Sequence, residues 1–541
     1  VDLRVKMGAH YGRDFLNSSN TKMGSDIMVS ELEKVLGDDI CYTYKDGDRS
    51  INKTKRDSID LSECVLPFVN LETKEFKEIQ NYLASQVITE TKGVFTDLPY
   101  SGFTDELLAN AEVLPLENKK QLLSTLNTKY NGITYKFGVG GLHGSCHNKT
   151  YHTTDDYIIC DVDVTSFYPS LAIEHRFFPE HLGVEYCDVY DDIKQRRVVY
   201  KREGSPFNLA LKEALNATYG NSNNEFSPFY DPKYTMTTTL SGQLSLCMLV
   251  EMAHRHISDV QVIQANTDGV TFYIKRDEAD KIDDVIKEWE EATSLDLEKV
   301  YYKSMFVRDV NNYLAVYDNG GVKNVGAYVH NLLNTGAERW EKDHSMLVVP
   351  KAVEAYLVHG KCYKEFLREH DDRFDFYLRT KVNKTDKLVG RDVDLEEIEQ
   401  QRITRYYMST DGIELLKIMK PLAKKTISKK LRGEWKKLGA EWTEKQEAKI
   451  LELLKTGQPF SIAHAVYDRS DVTVAVSDAC VQAVADMQPK PRYSAIQKHK
   501  LCTVANQAQE LVNIDYKFYE TQIEKLIEGV GITLDVNKKS L

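Results

Sequence analysis

The stretch Tyr157-Ile158-Ile159-Cys160-Asp161-Val162-Asp163-Val164-Thr165-Ser166-Phe167-Tyr168-Pro169-Ser170 is an apolar run broken by two aspartates. Residues 157 to 164 predict a buried strand, and a helix follows from Ser166 to Glu174. Strand alternation puts Ile159, Asp161 and Asp163 on one face and Ile158, Cys160, Val162 and Val164 on the other. Tandem carboxylates at the end of a buried strand are costly to desolvate unless they meet cations, so a hard divalent metal is a natural partner. An aspartate at a strand end also serves as a cap for the helix that follows, and residue 163 taken alone fits that use equally.

Downstream, Gln261 to Lys275 predicts a hairpin. Val262 and Ile263 precede an Asn266-Thr267-Asp268-Gly269 turn, and Val270, Phe272 and Ile274 alternate after it. In isolation Asp268 reads as a turn residue, since Asn, Asp and Gly supply the backbone angles that hairpin turns need. Paired with Asp163 it gains a second meaning. A strand-end and a hairpin-tip carboxylate can converge on two metal ions about 3.5–4 Å apart, the geometry for in-line attack of a 3′-hydroxyl on a phosphate.

Between these segments the pattern predicts two helices joined by a turn at Glu203-Gly204-Ser205-Pro206. Arg197 and Lys201 stand at i and i+4 on the first helix. Lys212, Asn216 and Tyr219 stand at i, i+4 and i+7 on the second, hence on one face. Three cations on antiparallel helices suit a triphosphate, because phosphoryl transfer is mostly positioning and charge neutralisation. Tyr219 with Gly220 suits contact with a base pair. The plain alternative is an exposed amphipathic helical hairpin with surface lysines.

The 541 residues exceed one ordinary domain, and 42% hydrophobic with 28% charged residues is the balance of a soluble globular protein. No apolar run approaches a membrane span, so no membrane partner is expected. Nine cysteines without a Cys-x-x-Cys pair read as reduced thiols. The net charge of −12 argues against nucleic acid as a partner. Its distribution argues the other way: between Lys417 and Lys437 lie Lys420, Lys424, Lys425, Lys429, Lys430, Arg432 and Lys436 against the single acid Glu434. Such a strip either tracks a phosphate backbone or is a solvated helix face. Residues 132 to 145 are dense in glycine, which marks a sharp turn or a close backbone approach and a domain boundary. His143, Cys146, His147 and His152 fit no zinc spacing. Beyond about residue 340, long charged periodic stretches such as Glu444 to Leu454 and Tyr516 to Ile527 predict a mainly helical region.

In this order the three segments resemble family B DNA polymerases, particularly the compact viral and phage branch. Asp163 to Ser170 matches the family's Asp-x-x-Ser-Leu-Tyr-Pro-Ser with Phe167 for leucine. Lys212 to Gly220 matches Lys-x-x-x-Asn-Ser-x-Tyr-Gly with Ala217 for serine. Asn266-Thr267-Asp268 stands where the family usually has Asp-Thr-Asp. The resemblance covers residues 130 to 330 closely and the rest by order and composition. It implies that Asp163 and Asp268 are the metal-binding catalytic carboxylates, with the Val164 carbonyl as a further ligand. Tyr168 becomes the residue beneath the incoming sugar that excludes a ribose 2′-hydroxyl. Arg197, Lys201 and Lys212 contact the triphosphate, while Asn216 and Tyr219 line the nascent base pair. Phe137 to Gly141, with Gly140 and Gly141, resembles the loop that touches the template, and Tyr313 resembles the thumb-side residue that holds the primer. Lys424, Lys425, Lys429 and Lys430 complete the expected DNA contacts.

The fold so implied is α+β: a right-hand polymerase with an antiparallel-sheet palm, short two-helix fingers and a mainly helical thumb. Residues 1–130 would be an N-terminal remnant and exonuclease-to-palm connection, and 131–187 the template loop and first part of the palm. Fingers follow at 188–224, the second part of the palm at 225–330, and the thumb and C-terminal helical region at 331–541. The expected activity is DNA-directed primer extension with deoxynucleoside triphosphates in viral DNA replication, using two Mg²⁺ ions, with Mn²⁺ as a substitute. Primer-template DNA is the expected partner, with a processivity factor or a separate exonuclease domain as further ones. The setting is the cytoplasm, that of the bacterial host for a phage protein. No Asp-x-Glu set stands out in residues 1 to 150, so the chain reads as a fragment that starts at the exonuclease's last helix.

Departures from the family pattern define the alternative. Asn266 replaces a carboxylate, and Asn311 and Asn312 stand where lysines are usual. Both favour a catalytically weak, polymerase-like nucleic-acid-binding protein. A primase-like enzyme that starts strands unaided ranks third. Only about fifty residues separate Asp163 from Lys212, which leaves no room for the insertion of protein-primed relatives and favours an ordinary nucleic-acid primer.

Overall fold

The computed structural model describes residues 2–91, 94–95, 126–330, 345–419, 492–498, 500–505 and 510–534. It mixes helices with large antiparallel sheets, consistent with an α+β fold. The chain divides into two compact units, one comprising Val1–Tyr328 with Leu526–Val536, the other Val329–Lys525 with Asn537–Leu541.

The first unit is organised by a ten-stranded sheet. Its order is Val322–Val325, Asn312–Tyr317, Leu297–Asp309, Tyr157–Val164, Gly269–Lys275, Val260–Asn266, Gly141–Ser145, Ile133–Gly138 and Asn127–Tyr130, with Lys149–His152 also pairing Leu297–Asp309. Tyr157–Val164 is therefore interior, paired along both edges, and all of its residues except Tyr157 and Asp163 are buried. Asp163 pairs with Gly269 on one neighbour and with Glu298 on the other.

The helix Pro232–His256 is buried along nearly its whole length and shares one core with Ile159, Val162, Val270 and Phe272 of the sheet. Asp231 caps it by accepting from the Lys233 amide, and proline occupies the first turn. Its polar residues would be costly in such a place without partners. They turn back on the helix: Thr238 donates to the Tyr234 carbonyl, Thr239 to Thr235, and the Gln243 amide to Thr239.

A second core joins the helices Glu185–Arg202 and Phe207–Asn221 to the helix Asn20–Leu36 through Tyr186, Tyr190, Ile193, Leu211, Leu215, Ile27 and Leu32. The Tyr190 hydroxyl donates to the Leu215 carbonyl at 2.7 Å, which locks the pair together. Burying each such leucine or isoleucine contributes about 1.5–3 kcal/mol.

In the second unit the described residues hold strands as well as helices. Its described residues include the helices Val348–His359 and Tyr363–Glu369, and the helix Tyr516–Glu528 begins there. They also build a six-stranded sheet around the strand Ile403–Met419, which pairs with Leu378–Lys381, Lys387–Arg391, Arg492–Ala495 and Cys502–Val504. Tyr406, Tyr407 and Met408 are buried there in succession, as happens when a strand is covered on both faces. The periodic stretch Glu444 to Leu454 lies outside the described residues.

Candidate functional site

The hairpin Val260–Asn266 and Gly269–Lys275 turns through Thr267 and Asp268, with Asn266 opposite Gly269. Thr267 adopts a left-handed φ of 56°, and its amide donates to the Leu142 carbonyl at 2.9 Å. The Val164 amide donates to the Asp268 carbonyl at 2.7 Å, so main chain ties the hairpin tip to the end of the central strand. Gly269 is required by this closeness: a Cβ there would lie 1.8 Å from Asp163 Oδ1. Burial pushes the Asp163 carboxyl up to about 7, and the charges of Asp161, Asp268 and Glu298 push the same way against the pull of Lys323. Burial raises the Asp268 carboxyl as well, opposed by Lys323 and Lys212.

Two carboxylates that repel each other in a partly desolvated corner are an arrangement that a divalent cation would relieve, so the donor set suits a hard metal. The set is small. Among the described residues no group of three or more His, Cys, Asp or Glu side chains is placed to hold a metal ion. Asp161, on the same strand face, is engaged elsewhere: it accepts from the hydroxyls of Tyr302 and Thr271.

Beside this corner lies a cavity of about 400 Å³, lined by Val164, Ser166, Tyr168, Arg197, Lys212, Asn216, Tyr219, Thr267 and Asp268 among others. It falls in the size range of small-molecule clefts. All three motif segments reach it. Ser166, with a left-handed φ of 48°, precedes the helix Phe167–Glu174 and accepts from Arg197 Nη1 at 2.9 Å. The Arg197 Nε is buried without a partner, and burial lowers the guanidinium's pKa. The contrast with its neighbour is informative, because Arg196 is held by Glu31 and Asp192. Arg197 and Lys212 form no ion pair among the described residues, so both present free positive charge to the cavity.

The rings of Tyr168 and Tyr219 meet at 4.4 Å with an interplanar angle of 49°. Both hydroxyls reach the glycine loop, Tyr219 donating to the Val139 carbonyl at 2.8 Å and Tyr168 to the Gly140 carbonyl at 3.3 Å. Tyr219 also meets the Thr239 hydroxyl at 2.8 Å. Gly141, at φ 129°, leaves room where a Cβ would stand 2.9 Å from the Tyr168 hydroxyl. From below, Gln243 accepts from the Gly138 amide at 2.9 Å.

The sequence-predicted residues thus separate into groups. Val164, Tyr168, Arg197, Lys212, Asn216, Tyr219 and Asp268 line the cavity, Asp163 stands at its strand end, and Gly140 and Gly141 border it. Lys201 is exposed on its helix and does not line the cavity. Tyr313 is buried, 3% exposed, in the strand Asn312–Tyr317. Lys424, Lys425, Lys429 and Lys430 lie outside the described residues. Sequence reasoning missed Lys323, Gln243 and Thr239. A lysine inside the short strand Val322–Val325 was the one available signal for the first.

No protein-family model matches the chain, and comparison with curated proteins finds no match. Among solved structures, the family B DNA polymerase from the hyperthermophilic archaeon Pyrobaculum calidifontis matches at 16% identity and a TM-score of 0.31, over 49% of this chain and 40% of that one. The chain thus spans less than half the length of that polymerase, and a likeness this slight adds no weight to the site. No helix among the described residues is long and apolar enough to cross a membrane.

Proposed function

We propose that the chain is a DNA-directed DNA polymerase of the family B type that extends a primer with deoxynucleoside triphosphates. One observation carries the reading: three segments distant in sequence line one cavity, with the Asp268 carboxylate and the cations of Arg197 and Lys212 in its wall, and Asp163 at the strand end paired with Gly269 beside it. In this reading Asp163, Asp268 and the Val164 carbonyl hold the divalent cations, Mg²⁺ or Mn²⁺. The cations would supply charge neutralisation at the phosphate and activation of the 3′-hydroxyl.

The chain's own residues do the positioning. Arg197 and Lys212 neutralise the triphosphate, with Lys201 at the outer end of the same helix meeting it only as the polyphosphate extends outward. The Tyr168 ring lies where a sugar stacks, and its hydroxyl, held by Gly140, leaves no space for a 2′-hydroxyl. Asn216 and Tyr219 face the base pair, and the loop at Gly140 and Gly141 carries the template. Buried Tyr313 supports the primer side from within the sheet, and Lys424, Lys425, Lys429 and Lys430 extend the contact along DNA. A viral or phage role in the cytoplasm of a bacterial host belongs to the same reading.

A primer-extension gel with Mg²⁺ tests it. Asp163→Ala or Asp268→Ala should abolish extension while primer-template binding persists, and near-normal extension by either would remove that residue from the site. The alternative, a weakly catalytic nucleic-acid-binding protein, is favoured by Asn266, whose amide is directed to the Val310 carbonyl at 3.4 Å. Binding without extension by the unaltered chain would establish it.

A further inference from the structure

Asp161 lies two residues before Asp163 on the same strand face, and its surroundings are unlike those of a free carboxylate. It is 5% exposed. The Tyr302 hydroxyl donates to its Oδ2 at 2.6 Å and the Thr271 hydroxyl to its Oδ1 at 2.5 Å. Lys323 Nζ stands 3.5 Å from Oδ2 and donates to the Tyr302 hydroxyl at 3.2 Å. Lys323 arrives from the strand Val322–Val325, three places away in the sheet. On the way its ammonium passes near the rings of Tyr302 and Tyr313, at 5.9 and 5.8 Å.

The two hydroxyls satisfy the hydrogen-bonding oxygens of Asp161, and the Lys323 ammonium supplies the opposite charge that a carboxylate buried this deeply calls for. The charge of Lys323 acts on more than its partner. It pulls against the raised carboxyls of both Asp163 and Asp268. The carboxylates of Asp161, Asp163, Asp268 and Glu298 outnumber the ammoniums of Lys323 and Lys212 in this corner, a negative excess that divalent cations would offset. A buried cation fixed beside a metal site lowers metal affinity, and a buried carboxylate raises it, because charges at this range interact strongly in a partly desolvated setting.

We propose that Lys323, anchored by Asp161, is a resident counter-charge that sets the divalent-cation affinity of the Asp163 and Asp268 pair; this rests on the metal site proposed above. Lys323 and Asp161 are positioning residues and touch no reacting atom. The consequence is a pair of opposite effects. Removing the ammonium enlarges that negative excess and tightens cation binding, whereas neutralising Asp161 leaves the ammonium uncompensated and weakens it. A merely structural pair would fail in the same direction from either side.

The test is a titration of the metal-free chain with Mn²⁺ alone, read by electron paramagnetic resonance of the free ion, without nucleotide or DNA. Lys323→Met should bind Mn²⁺ about tenfold more tightly and Asp161→Asn about tenfold more weakly, with the double variant near the unaltered chain. If Lys323→Met folds poorly, Lys323→Gln against Lys323→Arg reads the same charge, and only the glutamine should tighten binding. Equal shifts in one direction, or no shift, overturn the inference. Asp163→Ala separates the two levels. Mn²⁺ binding that survives Asp163→Ala sinks the metal-site reading and this inference with it, while binding lost in Asp163→Ala but unmoved by Lys323 and Asp161 sinks this inference alone.

Discussion

The Tyr219 hydroxyl, on the second helix of the pair, donates to the Val139 carbonyl of the glycine loop at 2.8 Å. A cavity wall and the loop at its mouth are therefore one hydrogen-bonded unit. Tyr219→Phe keeps the ring against Tyr168 and removes the tie. A single such bond contributes about 0.5–1.5 kcal/mol. The expected result is a KM for deoxynucleotide raised roughly two- to tenfold with the melting temperature nearly unchanged, measured by steady-state single-nucleotide insertion.

Gly269→Ala tests how closely the hairpin approaches the central strand. The added methyl overlaps Asp163 Oδ1, and the clash can be relieved only by moving that carboxylate or opening the sheet. Extension should fall at least a hundredfold, on the order of 3 kcal/mol in the barrier, while circular dichroism retains the native helix signal. Near-normal extension would show that the position of Asp163 does not matter.

Arg196 and Arg197 are neighbours with opposite circumstances, and their variants should separate cleanly. Arg197→Ala removes an unpaired guanidinium from the cavity and should raise the nucleotide KM about tenfold or more with stability preserved. Arg196→Ala breaks the bridges to Glu31 and Asp192 and leaves the buried Glu31 with only the Tyr11 hydroxyl and Lys34 as partners. It should lower the melting temperature by several degrees and leave the KM alone.

The metal-free chain should also show a pH signature at Asp163. Its carboxyl is raised from the ordinary 3.8 to about 7 in the folded protein. A carboxyl raised on folding favours the protonated form. Its contribution to stability is therefore complete below about pH 4 and lost as the pH climbs through about 7. Asp163→Asn removes that loss. In a chelator-containing buffer the variant should melt higher than the unaltered chain at pH 8, with the difference shrinking steadily toward pH 5. A difference that does not change over this range would contradict the raised carboxyl.

How much of this the sequence disclosed depended on the distance over which each feature is determined. The strand Tyr157–Val164 and the hairpin at Asn266 to Gly269 stand where alternation and turn chemistry put them, because both are set by neighbours a few residues away. The turn between the two helices was legible for the same reason. The strand Ile403–Met419 was not, since its partners Arg492–Ala495 and Cys502–Val504 lie far along the chain and its burial follows no period of two. Thr237, Thr238 and Thr239 lower helix propensity in Pro232–His256, yet burial against the sheet overrides it. Lys323 comes beside Asp161 only through sheet order, which no local pattern records.

Gln243 gives the glycine loop an unusual foundation. Its Oε1 receives the Gly138 amide while its Nε2 is committed to the Thr239 carbonyl, so both ends of one buried amide are spent. Turned over, that group would set donor against donor and acceptor against acceptor. The strand end from which the loop departs is thus keyed to the polarity of a single neutral dipole, which neither salt nor acidity can reset.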